Sequence, residues 1–165
     1  GRLMLSQRQA FRNRPRQGLI EICLGDHDRL LIADLAGQFR SLLSEGDDAA
    51  LQRLYPTAYP DHPEHNVEYG QLVHDDLLRG RLEAIEVVEA TAQEPSLSLD
   101  QLNAWITVVS GLRLVVGTRL DVSEQDEFDP EAEDAPMQSL LWWLAMLLDE
   151  AVTAASHYLP DPLTP

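Results

Sequence analysis

The stretch from Asp100 to Leu120, DQLNAWITVVSGLRLVVGTRL, constrains this chain more than any other. Leu102, Trp105, Ile106, Val109, Leu112, Val116 and Leu120 recur at three- and four-residue steps, the spacing of one face of an α-helix. Val108, Leu114 and Val115 stand on other faces, and after Asp100 the only charges are Arg113 and Arg119. A helix that is apolar nearly all round needs neighbours on several sides, so this one reads as the central helix of a bundle. Asp100 offers a carboxylate to its first open amides and is expected to be the N-cap.

The rest of the chain supplies those neighbours. Residues 9–13 and 18–24 flank an Arg-Pro-Arg-Gln-Gly turn and read as a small β-hairpin over about 9–24. Ile20, Ile22 and Leu24 share one face of its second strand, and Glu21 and Cys23 share the other. A helix over about 28–45 follows, with Leu31, Ile32, Leu35, Phe39, Leu42 and Leu43 inward and Asp26 and Asp28 suited to its open amides. A short helical turn at 47–54 leads to two Tyr-Pro pairs, in which Tyr55 and Tyr59 are forced toward extended backbone. The next helix, about 64–92, carries Val67, Leu72, Val73, Leu77, Leu78, Leu82, Ile85, Val87, Val88 and Ala92 inward. Its Glu83, Glu86 and Glu89, with Glu94 beyond, form a solvated acidic face. A last helix runs from Ala135-Pro136 to about Leu159, with Leu140, Leu141, Leu144, Leu148 and Val152 inward. Between the last two helices, residues 121–134 hold eight acids and no base, which reads as a mobile acidic loop. A calcium loop is the sharper reading of those carboxylates, but the turn Gly and spaced Glu of an EF-hand are missing.

The predicted fold is therefore mainly α: one domain over 1–165, a four- to five-helix bundle at about 28–159 around the helix at 100–120, with an N-terminal hairpin. At 165 residues the chain is long enough to bury about two-thirds of its unfolded surface without disulfides or metals.

Charge narrows the function classes. There are 28 acidic and 12 basic residues, every base is Arg, and the net charge is −16. Arg2, Arg8, Arg12, Arg14 and Arg16 put +5 on residues 1–17, leaving −21 on the remainder. Such a body disfavours nucleic acid and anionic membranes. The Arg arm either pairs with acids of its own fold or of a dimer mate, or serves as a nucleic-acid tail. Cys23 is the one cysteine, so no intramolecular disulfide forms. It is a possible redox thiol, though a small inert hydrophobe is the plainer reading. No secretory signal or lipidation box is visible, the opening Gly1 suggests a natural start further upstream, and the longest apolar run, Leu140–Leu148, is about half a bilayer span. A cytoplasmic protein is expected.

The chemistry-bearing motifs are few. No phosphate-binding glycine loop, HExxH, GxSxG or CxxC occurs. Asp61, His62, Glu64, His65, Glu68 and His74 make the best metal-like cluster, but His74 lies two and a half turns beyond His65 and points away. Capping at a helix start explains the group more simply. Asp75, Asp76 and Asp149 are candidates for desolvated carboxylates. Arg113 and Arg119 on the apolar helix would need buried partners, so structural ion pairs with Asp75 or Asp149 are the simpler expectation. Trp142, Trp143 and Met146, with Tyr55 and Tyr59, are interface candidates, and a homodimer is one way to cover them. Gly117 is expected to allow close helix packing.

Taken together, Leu54-Tyr55-Pro56…Ala58-Tyr59-Pro60-Asp61, Glu68-Tyr69…Leu72…Leu78…Gly80-Arg81-Leu82, and Trp105…Leu112-Arg113-Leu114…Gly117-Thr118-Arg119-Leu120 resemble the DUF2017 family of actinobacteria. The closing Leu141-Trp142-Trp143-Leu144 and the opening Phe11…Gly18-Leu19-Ile20 match its layout too. The resemblance implies proximity to the gene for the ClpS protease adaptor and, in some members, a description as transcriptional regulators. It implies no catalytic residues and no cofactor. The residues themselves favour a regulatory or adaptor module that binds another protein. A DNA-associated regulator using the Arg arm, and a small metal protein or enzyme using the Asp61–His65 region, are the alternatives.

Overall fold

The computed structural model describes residues 9–46, 54, 63–123 and 135–158. Two strands, β1 (Phe11–Arg14) and β2 (Leu19–Ile22), are followed by α1 (Asp26–Glu45), α2 (Pro63–Thr91), β3 (Ser96–Leu97), α3 (Leu99–Ser123) and α4 (Ala135–Ser156). The mainly α fold, the central helix and the N-terminal hairpin are as the periodicity predicts. The short turn expected at 47–54, apart from Leu54, and the acidic loop beyond residue 123 lie outside the described residues, as does Leu159.

The sheet has a third strand that the sequence pattern did not show. β1 pairs with β2 in antiparallel register, Phe11 opposite Ile22 and Arg14 opposite Leu19. β3 then pairs with β2, setting Leu97 opposite Ile20, so the order is β1-β2-β3. Two residues are too few to display an alternating pattern, and Pro95, whose carbonyl accepts from the Ile22 amide at 2.9 Å, reads in sequence as a helix stop. The hairpin turn closes with Gly18 at φ 65°, a left-handed conformation that suits glycine. Ile20 and Ile22 are buried while Cys23 is exposed, as the alternation requires.

α3 is the hub. Leu102, Trp105, Val108, Val109, Leu112, Val115, Val116 and Leu120 are all buried, and the helix packs on α1, α2, α4 and the sheet. Its N-terminus is capped by Ser98, not Asp100. The Ser98 Oγ accepts from the Gln101 amide at 3.2 Å and Gln101 Oε1 accepts from the Ser98 amide at 2.9 Å. This reciprocal capping box satisfies two otherwise open donors and leaves Asp100 in the first turn, where it favours only the helix dipole. At the N-terminus of α1 the cap residue is Gly25, with no side-chain bond, so Asp26 and Asp28 act through the dipole as well. The helix ends on Gly46 at φ 74°, whose amide reaches the Leu42 carbonyl at 3.2 Å.

Close packing between helices falls at Gly111 rather than Gly117. A Cβ at Gly111 would sit 2.7 Å from two ring carbons of Phe39 on α1, whereas one at Gly117 would meet Leu141 at an ordinary 4.0 Å. The buried Trp105 indole donates to Thr91 Oγ1 at 2.8 Å and meets Phe11 edge to face at 5.9 Å, joining α3 to α2 and to the sheet.

Two inward assignments and one outward one are corrected. Leu72 on α2 is exposed, and so is Val152 on α4, where Leu144, Leu147, Ala151 and Ala154 form the buried stripe instead. Glu89 is not simply solvated. It bridges α2 to Arg40 on α1, with Arg40 Nη1 donating to its Oε2 at 2.9 Å and Nη2 to its Oε1.

Candidate interaction surface

The paired tryptophans part company on α4. Neighbouring residues on a helix point about 100° apart, so only one of them can face the core. Trp143 packs partly buried against the core cluster, while Trp142 is 72% exposed. Met146, one turn on, is 47% exposed beside it. The same outward stripe continues through Asp149 and Thr153, both exposed, at further steps of three and four residues.

Asp149 and Thr153 also enter a cleft of about 290 Å³ between α4 and β1. Its walls include Phe11 and Asn13 from β1, Asp149, Glu150 and Thr153 from the end of α4, and His157 just beyond it. Glu150 is fixed there because its Oε1 accepts from the Ala10 amide at 2.8 Å. Nearby, the Tyr158 hydroxyl donates to the Leu19 carbonyl at 3.1 Å, which seats this end of α4 on the hairpin. Asn13 Oδ1 is buried without a hydrogen-bond partner.

The residues named for structural ion pairs all lie at the surface. Arg113 and Arg119 are exposed on α3, not enclosed in the core. Asp75, Asp76 and Asp149 are exposed too. Asp75 accepts from Gln71 Nε2 at 2.9 Å and Asp76 pairs with Arg79 at 2.9 Å, both within α2. Besides Arg40, a cation that joins elements is Arg29, which sequence reasoning passed over. Its Nε donates to the Leu24 carbonyl at 2.9 Å and its Nη2 to Ile22 at 3.0 Å. Its Nη1 reaches the Ala92 and Glu94 carbonyls at 3.0 and 2.6 Å. One rigid guanidinium thus satisfies carbonyls at the end of β2 and the end of α2 together.

Of the Arg arm, Arg14 pairs within its own hairpin, its Nη2 lying 2.9 Å from Glu21 Oε2. That guanidinium, and less strongly the more distant Arg12, holds the Glu21 carboxyl below the usual carboxylate range. Cys23 goes the other way. Partial burial and the Glu21 carboxylate, whose Oε1 accepts from its thiol at 3.8 Å, push its pKa up. A thiol held protonated lacks the activation of a redox-sensing cysteine.

Tyr55, Tyr59, Asp61 and His62 lie outside the described residues, as do the side chains of Glu64, His65 and Glu68. His74 is half-buried on α2. Among the described residues no three His, Cys, Asp or Glu side chains converge as a metal-binding group, and no helix is long and apolar enough to cross a membrane.

A family model described as Domain of unknown function (DUF2017) matches residues 8–155. The chain belongs to the DUF2017 family. No curated protein and no solved structure matches it. The DUF2017 match takes in the hairpin, α1 to α3 and all but the last residue of α4, so Trp142, Met146, Asp149 and Glu150 fall inside it. His157 and Tyr158 fall beyond it.

Proposed function

We propose that this DUF2017 protein is a non-enzymatic, cytoplasmic regulatory or adaptor module that works through contacts with another protein, with self-association into a homodimer as a special case. The observation that carries this reading is the pairing of Trp142 with Met146 on the outward face of α4, next to a buried stripe that already holds the helix in place. Trp142 lies outside that buried stripe, and Trp is among the residue types most enriched among side chains that dominate binding energy. Covering a Trp of this exposure removes on the order of 150 Å² from water, about 4 kcal/mol of gross driving force. The body's charge of −16 favours a protein partner over an anionic polymer.

Light scattering behind size exclusion, at two concentrations and two salt levels, tests the reading alongside capture of partners from the native host. Wild type is expected to associate, with itself or with a captured protein, and Trp142→Ala/Met146→Ala to lose that association with its helicity unchanged. A double variant that associates as wild type does would remove α4 from the role. A double variant that unfolds would show these side chains to be part of the core.

A further inference from the structure

We infer that the outward face of α4 and the cleft at its C-terminal end form one docking surface for a basic segment of another protein, with an apolar side chain on Trp142 and Met146 and an Arg or Lys in the cleft. This rests on the protein-contact reading above and names the chemistry of the partner.

Continuity is the first argument. Trp142, Met146, Asp149 and Thr153 follow one another at steps of four, three and four residues, so they share a single stripe. At 1.5 Å of rise per residue the carboxylate of Asp149 stands about 10 Å along the axis from Trp142. That distance matches two turns of a partner helix or about three residues of an extended segment. An apolar residue and a basic one at either spacing reach both ends of the surface.

The cleft supplies the second. Asp149 and Glu150 bring carboxylates, and Glu150 is held in position by its bond from the Ala10 amide. Asn13 from β1 lines the same wall. Among the described residues that line the cleft there is no Arg, and His157 is the one residue there that can carry positive charge against the two carboxylates. A guanidinium or ammonium group, which is all donor, complements such a wall, and a guanidinium can bind a carboxylate through two parallel bonds. About 290 Å³ is room enough for that head group and part of its stem.

Overall charge supplies the third. A body at −16 attracts a basic segment during encounter and repels a second copy of itself or any anionic ligand.

The test is calorimetric titration of the full chain with acetyl-(Leu-Arg-Arg-Leu)₃-amide and with its Glu-for-Arg counterpart. The Arg peptide is expected to bind and the Glu peptide not to. Asp149→Asn/Glu150→Gln keeps the acceptor for the Ala10 amide and should weaken binding by about tenfold or more, the scale of losing a charged partner in a contact. Trp142→Ala should weaken it by about fivefold. Glu83→Gln/Glu86→Gln removes the same charge from the exposed face of α2 and should change binding by less than about twofold. Equal weakening by the two charge-removing doubles would mean diffuse attraction and would overturn the inference. So would a dimer that Asp149→Asn/Glu150→Gln dissolves, which assigns the face to a second copy. So would tightening by Arg2→Gln/Arg8→Gln, which assigns the cleft to the chain's own arm. A native partner lost by Trp142→Ala/Met146→Ala but kept by Asp149→Asn/Glu150→Gln would overturn the basic segment and leave the protein-contact reading standing.

Discussion

Replacing Gly111 by Ala probes how closely α1 crosses α3. The new Cβ would lie 2.7 Å from both Cε2 and Cζ of Phe39 and 3.9 Å from Leu54 Cδ2. Carbon atoms at rest in a core stand about 3.5–4.0 Å apart, so one partner would have to retreat by about 1 Å. Phe39 is only 1% exposed and is enclosed by the core, which leaves its ring no open direction. Forcing a methyl into such a site costs about 1–3 kcal/mol. Against this, Ala in mid-helix gains about 1 kcal/mol over Gly. The expected net is a loss of about 1 kcal/mol, or a Tm lower by about 2–4 °C in a chain of this size. Gly117→Ala meets only Leu141 at 4.0 Å, so it should keep the propensity gain and raise Tm by a similar amount. Urea unfolding followed by far-UV circular dichroism reads both, together with Gly111→Ala in a Phe39→Leu background. There the shorter side chain makes room, and Gly111→Ala should become neutral or stabilising, a coupling of about 1 kcal/mol or more. If Gly111→Ala stabilised the wild-type protein as much as Gly117→Ala does, the steric argument would be wrong.

Three further outcomes are expected. Ser98→Ala should cost about 1 kcal/mol in the same unfolding assay, more than Asp100→Ala, which loses only a dipole contribution of about 0.3–1 kcal/mol; the reverse order would restore Asp100 as the cap. Cys23 should react with iodoacetamide at pH 7 no faster than a free thiol, because burial and Glu21 raise its pKa; a rate well above that of glutathione would reinstate the redox reading. Arg40 holds the Glu89 carboxyl below its usual range, so the folded pKa lies under the unfolded one. The bridge therefore contributes above the unfolded pKa and is lost as pH falls through the folded value. The stability difference between wild type and Glu89→Gln should be level from pH 6 to 8, under about 1 kcal/mol for a partly exposed pair, and should begin to shrink near the unfolded pKa of about 4.3 and vanish only once pH is below the folded value. A difference that grows in acid would refute this account.

What the chain determines locally was legible in its sequence. The three- and four-residue spacing of Leu102, Trp105, Val109, Leu112 and Val116 marked α3, and the scarcity of charge around it marked a helix with neighbours on several sides. The alternation of Ile20, Glu21, Ile22 and Cys23 marked β2 and its exposed thiol. Family membership lay in short motifs that any reading of the sequence can reach. These are properties of neighbouring residues, and backbone geometry turns them into a helix or a strand wherever the segment sits.

Other features depended on distances that no local pattern encodes. Trp142 and Trp143 are equally apolar, and only the seat of α4 on α3 and on the hairpin decided which is covered. Gly117 and Gly111 are both glycines in the same helix, yet only Gly111 faces an aromatic ring, because α1 crosses there. Arg29 looks like one more exposed cation until β2 and the end of α2 bring their carbonyls to it. The cleft likewise joins Asn13 to Asp149 and Glu150 across nearly the whole length of the chain. Periodicity says that a face is apolar or charged; which neighbour meets that face, and at what distance, was decided only when the four helices and the sheet packed together.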